Sequence, residues 1–132
     1  MTNHVLLLGA PRRFGYIAVP HQLRTVIPAG AVGVYMLLRN NMPFYVGRSD
    51  SCIVNRLCGH ERLIETSHIV WEPCASAEHA FRLESAWFHI LSADGRIENV
   101  IHPARPMGNL QGCPFCNKKD VEALMYALTH LR

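Results

Sequence analysis

Lysine is nearly missing from this chain: Lys118 and Lys119 are the only two, and every other basic residue is arginine. Arginine keeps its charge and forks onto phosphate oxygens, so the bias suits phosphate contact, although a GC-rich genome gives the same bias with no function behind it. Charge is sparse as well. With 17% charged residues and a formal net charge of +3, the chain permits a polyanionic partner without requiring one. No apolar run approaches transmembrane length, which leaves out a helical membrane span. Val5 to Leu8 is a short apolar run with no basic flank before it and no cleavage site after it, so no signal peptide is expected. The five cysteines, an odd number, do not make a disulfide framework in a domain of this size, and a reducing, cytoplasmic setting is the expectation. Internal repeats and low-complexity tracts are absent. What is there is a globular composition, 49% hydrophobic over 132 residues, enough for one core and too little for two.

The most informative stretch runs from Gly33 to His60. It reads as strand, turn, strand, helix. Tyr35 and Tyr45 flank Arg39-Asn40-Asn41, and a three-residue hairpin loop centred on Asn40 would set the two tyrosines directly opposite each other on one face. The helix that follows spans Asp50 to Glu65, capped by Ser49 or Asp50, with Ile53, Val54, Leu57 and Ile64 as its apolar positions. Arg56 and His60, four apart, then share a side of that helix. Two phenols, a guanidinium and an imidazole over a sheet edge suit a phosphate diester better than a carbonyl, because Arg holds phosphate oxygens while Tyr or His can take a proton.

Gly33-Val34-Tyr35, then Tyr45-Val46-Gly47 ten residues on, then Arg56 and His60, resembles the GIY-YIG nuclease module, and the likeness covers roughly Val32 to Asn99. The resemblance implies a small α+β fold, a mainly antiparallel three-stranded sheet flanked by helices. Residues 1–31 would be an extension packed on it, residues 32–100 the nuclease core, and residues 101–132 a C-terminal segment of the same domain. It further implies an endonuclease that hydrolyses DNA with one Mg2+ or Mn2+, hard cations that favour carboxylate, water and phosphate oxygen.

Roles for single residues come from the same likeness. Ala80, Phe81, Glu84 and Phe88 fall on one stripe of a helix expected at Ala77 to Leu91, capped by Ser76. A carboxylate on that stripe must find a partner, such as Arg56 or Arg82, or a metal. The resemblance selects the metal for Glu84. Tyr35 would activate the attacking water with Tyr45 and His60 orienting it, Arg56 would neutralise charge on the phosphate, and Arg48 would contact phosphate. Whether Tyr35 or His60 is the base stays open. Asn99 would line the site, with Asn109 as an alternative.

A second constellation follows. Cys113-Pro114-Phe115-Cys116 is a CxxC knuckle, half of a tetrahedral zinc site, and His89 and His102 precede it at moderate distances. These four are the expected ligands of a structural Zn2+, with Cys74 as an alternate and two unliganded thiols as the plain reading. Elsewhere His4 to Leu8, Tyr16 to Val19 and Leu23 to Ile27 read as short extended pieces broken by Pro20 and Pro28, Ser67 to Glu72 as a third strand, and Lys118 to Leu131 as a last helix packed through Val121, Leu124, Met125 and Leu128. The reading from another function class is an inactive module of this fold that binds nucleic acid or protein. DNA is the expected partner, and oligomeric state is not legible.

Overall fold

The computed structural model describes residues 15–93, 95, 97–99, 102–108, 112–116 and 120–129. The strand expected at His4 to Leu8, Arg12, Arg13, Asn109 and the two lysines lie outside them, as do the side chains of Val121 and Leu128. In chain order the elements are β1 (Tyr16–Ile17), α1 (Pro20–Val26), β2 (Gly33–Arg39), β3 (Met42–Ser49), α2 (Ile53–Cys58), a 3-10 turn (Leu63–Glu65), β4 (His68–Pro73), α3 (Ala77–Ala93) and α4 (Asp120–Thr129). The strands form one antiparallel sheet in the order β1-β4-β2-β3. The expected α+β class holds, with a fourth strand added by the N-terminal segment.

Side chains alternate across a strand, so the central strand β2 feeds two cores. Val34, Met36 and Leu38 pack with Val46 and Val70 against Leu83, Trp87 and Ile90 of α3 and against Ala123 and Ala127 of α4. Tyr35 and Leu37 face the other way, packing with Ile69, with Leu23 of α1 and with Ile53, Val54 and Leu57 of α2. The result is three layers: α3 and α4, the sheet, then α1 and α2.

The hairpin differs from expectation in register. Asn40 and Asn41 both take positive φ, 55° and 64°, which closes a two-residue turn of the kind that matches strand twist. Arg39 therefore faces Met42, and a bulge between Leu37 and Leu38 leaves Phe44 as an extra residue on β3. Tyr35 lies opposite Gly47, and Tyr45 lies opposite Leu37. The tyrosines share a face but sit on a diagonal, not opposed.

Three helix expectations are also corrected. Leu23 to Ile27 is not an extended piece, because Pro20 opens α1 at a first-turn position where its missing N–H costs nothing. The Asp50 to Glu65 helix is cut to six residues at Gly59, a poor helix former, and Ile64 is 96% exposed on the 3-10 turn. The Ser49 hydroxyl accepts the Cys52 N–H at 2.9 Å as a capping group would, although Cys52 is the cap position. On α4, Met125 is exposed and Leu124 packs partly buried on the core as expected, and among the described side chains the fully buried ones are Ala123 and Ala127, which let α4 approach α3 closely.

Candidate active site

Tyr35 and Glu84 belong to opposite sides of the sheet, and the edge strand β3 is where they meet. Tyr45 and Gly47 face α2, whereas Arg48, opposite Val34, faces α3. Gly47 makes the crossing possible. A Cβ there would lie 2.4 Å from the Tyr35 hydroxyl, so the phenol reaches the edge only over a residue without a side chain. The hydroxyl enters a cleft of about 350 Å³ shared with Tyr45, Arg48, Asp50, Arg56, Glu84 and Asn99. Tyr45 and Arg56 also line an adjoining groove of about 260 Å³ that reaches Gly59, His60 and Glu61.

Glu84 is only 7% exposed, and burial pushes its carboxyl up to about 7 although Arg48 pulls the other way. Its partner is neither Arg56 nor Arg82, the two candidates from sequence. Arg82 pairs with Glu78 on the outer side of α3 at 2.5 Å, while Arg48 Nη1 donates to Glu84 Oε1 at 2.7 Å. Arg48 Nε also donates to Asp50 at 2.7 Å, so its guanidinium bridges two carboxylates. Burial works against the Arg48 charge and the two carboxylates more than restore it. Arg48 is thus engaged by carboxylates within the cleft, where sequence placed it as a plain phosphate contact.

Tyr35 is 1% exposed, and that burial pushes its hydroxyl well above the usual phenol range, opposed by the Arg56 guanidinium beside it. His60 leaves the helix after Gly59 and stands edge-on to both rings, 4.8 Å from Tyr45 and 5.8 Å from Tyr35 between centroids. The backbone N–H of Arg62 donates to His60 Nδ1 at 3.1 Å. A backbone N–H can only donate, so neutral His60 carries its proton on Nε2. Burial first, then Arg56 and Arg62 against Glu61, hold its pKa below the ordinary value. Neutral His60 is therefore a hydrogen-bond donor through Nε2.

Asn99 lines the cleft as expected, with its amide committed. Its Nδ2 donates to the Val46 carbonyl at 2.7 Å and its Oδ1 accepts the Val46 N–H at 2.9 Å, pairing the outer edge of β3 as another strand would. The neighbouring Glu98 N–H donates to the Phe44 carbonyl at 2.7 Å. The Glu98 carboxylate accepts from both Arg39 and Arg62, whose guanidinium groups lie over the Phe44 ring at 4.2 and 5.1 Å. Sequence reasoning missed this clamp and gave Asp50 and Gly47 no part in the site. Asp50, two residues past Arg48, had a spacing signal; the Glu98 clamp had none.

The second constellation is assembled as expected. His89 Nε2 lies 3.3 Å from His102 Nε2 and 3.4 Å from Cys113 Sγ. Cys116 Sγ lies 3.6 Å from His89 Nε2 and 3.4 Å from His102 Nε2. A tetrahedral zinc with ordinary bond lengths sets its nitrogens about 3.3 Å apart and nitrogen to sulfur about 3.6 Å. His102 Nδ1 donates to the Pro103 carbonyl at 2.8 Å, which leaves Nε2 with its lone pair turned to the cluster. These four residues could hold a metal ion such as zinc. Cys74 stays outside the cluster, partly buried against the core on the α3 side.

No family model, no curated protein and no solved structure matches the chain. Among the described residues no helix is long and apolar enough to cross a membrane. The functional reading therefore rests on the geometry of the cleft and of the metal cluster.

Proposed function

We propose that this chain is a GIY-YIG-type endonuclease that hydrolyses phosphodiester bonds of DNA with one Mg2+ or Mn2+ at Glu84, and that a structural Zn2+ occupies the cluster of His89, His102, Cys113 and Cys116. One observation carries the reading: a carboxylate from α3 reaches the same cleft as two phenols and a guanidinium from the β2–β3 hairpin and α2. Bound at Glu84, the divalent ion would polarise the phosphoryl group and stabilise the leaving oxygen. Arg56 neutralises charge on the non-bridging oxygens as water attacks phosphorus and the bond to the leaving oxygen breaks. Tyr35 can take the proton of that water only as the phenolate, having first given its own proton to solvent, and that ionisation is what burial opposes and what Arg56 and added positive charge favour. Tyr45 and the Nε2–H of His60 orient the diester. Arg48 engages Glu84 through Oε1, so an ion would bind the carboxylate in competition with it or through Oε2, and phosphate is a further partner for the guanidinium, with Asp50 keeping it near.

The Arg48 to Glu84 ion pair at 2.7 Å also favours a second reading, an inactive module of the same fold that binds nucleic acid or protein through this cleft. Plasmid nicking with added Mg2+ or Mn2+ separates the two. Glu84→Gln and Arg56→Ala should each lower cleavage about a hundredfold or more. Undiminished cleavage by both variants refutes the assignments, and a native chain that binds DNA without nicking it supports the module.

A further inference from the structure

The two constellations share both of their supports. On α3, Glu84 enters the cleft, and His89, five residues later and about 140° around the helix, enters the metal cluster. The opposite wall of the cleft is formed by Asn99 and Ala104, which bracket His102 in sequence. Among its described residues that wall has no strand of its own. Glu98 ties it to Phe44, Arg39 and Arg62, the Asn99 amide pairs with Val46, Pro106 is buried, and His102 lies within 3.3 Å of His89 and 3.4 Å of Cys116.

We infer that the metal ion held by His89, His102, Cys113 and Cys116 positions the Asn99 wall against β3, and so sets the distance across the cleft between that wall and Glu84. This rests on the hydrolytic reading of the cleft and on zinc occupancy of the cluster. Without the ion, two imidazole lone pairs and two sulfurs lie 3.3 to 3.6 Å apart with no bond joining them, and the loop bearing His102 loses its coordinate tie to α3 and keeps the ring contact with Phe88. The carboxamide of Asn99 loses its alignment with it. His102 and the cysteines are positioning residues, since they act on the reaction through Asn99 and do not reach the substrate.

The Val46 amide reports this directly, because its acceptor is the Asn99 side chain and not a strand. Amide hydrogen exchange is measured on the full chain loaded with zinc, stripped with a chelator and reloaded, with Met36 of the central strand as the internal reference. Stripping should speed exchange at Val46 about tenfold or more while Met36 is unchanged, and reloading should restore it. Cys116→His, which keeps four ligands, should behave as the native chain when loaded, and Cys113→Ser with Cys116→Ser should match the stripped one. Equal Val46 protection with and without zinc overturns the inference. So does parallel loss of protection at Val46 and Met36, which would make the ion a general stabiliser, or failure of the purified chain to bind zinc. A zinc-responsive Val46 in a chain that never nicks plasmid would defeat the hydrolase reading and leave the tether standing.

Discussion

Small residues and single protons decide what this cleft can do. Gly47 is where the two faces of the sheet communicate, since only a residue without a side chain lets the Tyr35 hydroxyl pass over β3. Gly47→Ala should destabilise the chain by about 1–3 kcal/mol, as overpacking does, and cut cleavage with it, both checked by urea denaturation and plasmid nicking. His60 offers a pH test whose sign is fixed. Its folded pKa lies below the unfolded value, so between the two the unfolded chain binds the proton and the folded chain does not. The stability involved is present above the unfolded pKa and is lost as pH falls through the folded one. His60→Asn, which keeps an acceptor for the Arg62 N–H without titrating, should therefore lose less stability than the native chain between about pH 7.5 and pH 5, read from urea midpoints. Nitrogen NMR of the native chain near neutrality should show the proton on Nε2, because Nδ1 already accepts from Arg62.

Elements were legible where pattern and packing agree, and misread where a long-range partner intervened. The run Val34 to Leu38 beside a turn gave β2 as a hairpin strand, and the burial of both its faces followed only from helices on both sides of the sheet. The helix α3 was readable from its cap and its stripe, and the Ser76 hydroxyl accepts the His79 N–H at 3.1 Å. By contrast α1 is not legible as a helix, because Pro20 reads equally well as a breaker and as a first-turn residue. The hairpin loop was one residue too long, since two asparagines in positive φ and a bulge at Phe44 absorb the register that a three-residue loop would have supplied. On α4 the alanines 123 and 127, each 0% exposed, set the approach to α3, so volume is limiting there. Ala123→Leu should lower stability by about 1–3 kcal/mol in urea denaturation, whereas Met125→Glu on the exposed side should stay within about 0.5 kcal/mol.

At the scale of the whole molecule, the cleft and the metal cluster are two uses of the same α3 and of the same returning loop. Zinc bound only to the folded chain adds stability by linkage, about 2.7 kcal/mol when free zinc is a hundred times its dissociation constant. Chelation should accordingly lower the thermal midpoint, and zinc added back should restore it; the comparison is a pair of melting curves at fixed protein concentration. The identity of the chemistry-bearing residues, their order and the spacing of the histidines and cysteines that could hold a metal were set by the sequence, because side-chain type, short-range spacing and the CxxC knuckle are local properties. Which carboxylate meets which guanidinium was decided only by the tertiary structure. Arg48 reaches Glu84 because strand alternation and the register of β3 turn it toward α3, and Asn99 closes the edge of β3 beside the clamp that Glu98 makes with Phe44, Arg39 and Arg62. Those partners lie far apart along the chain, and no local pattern records them.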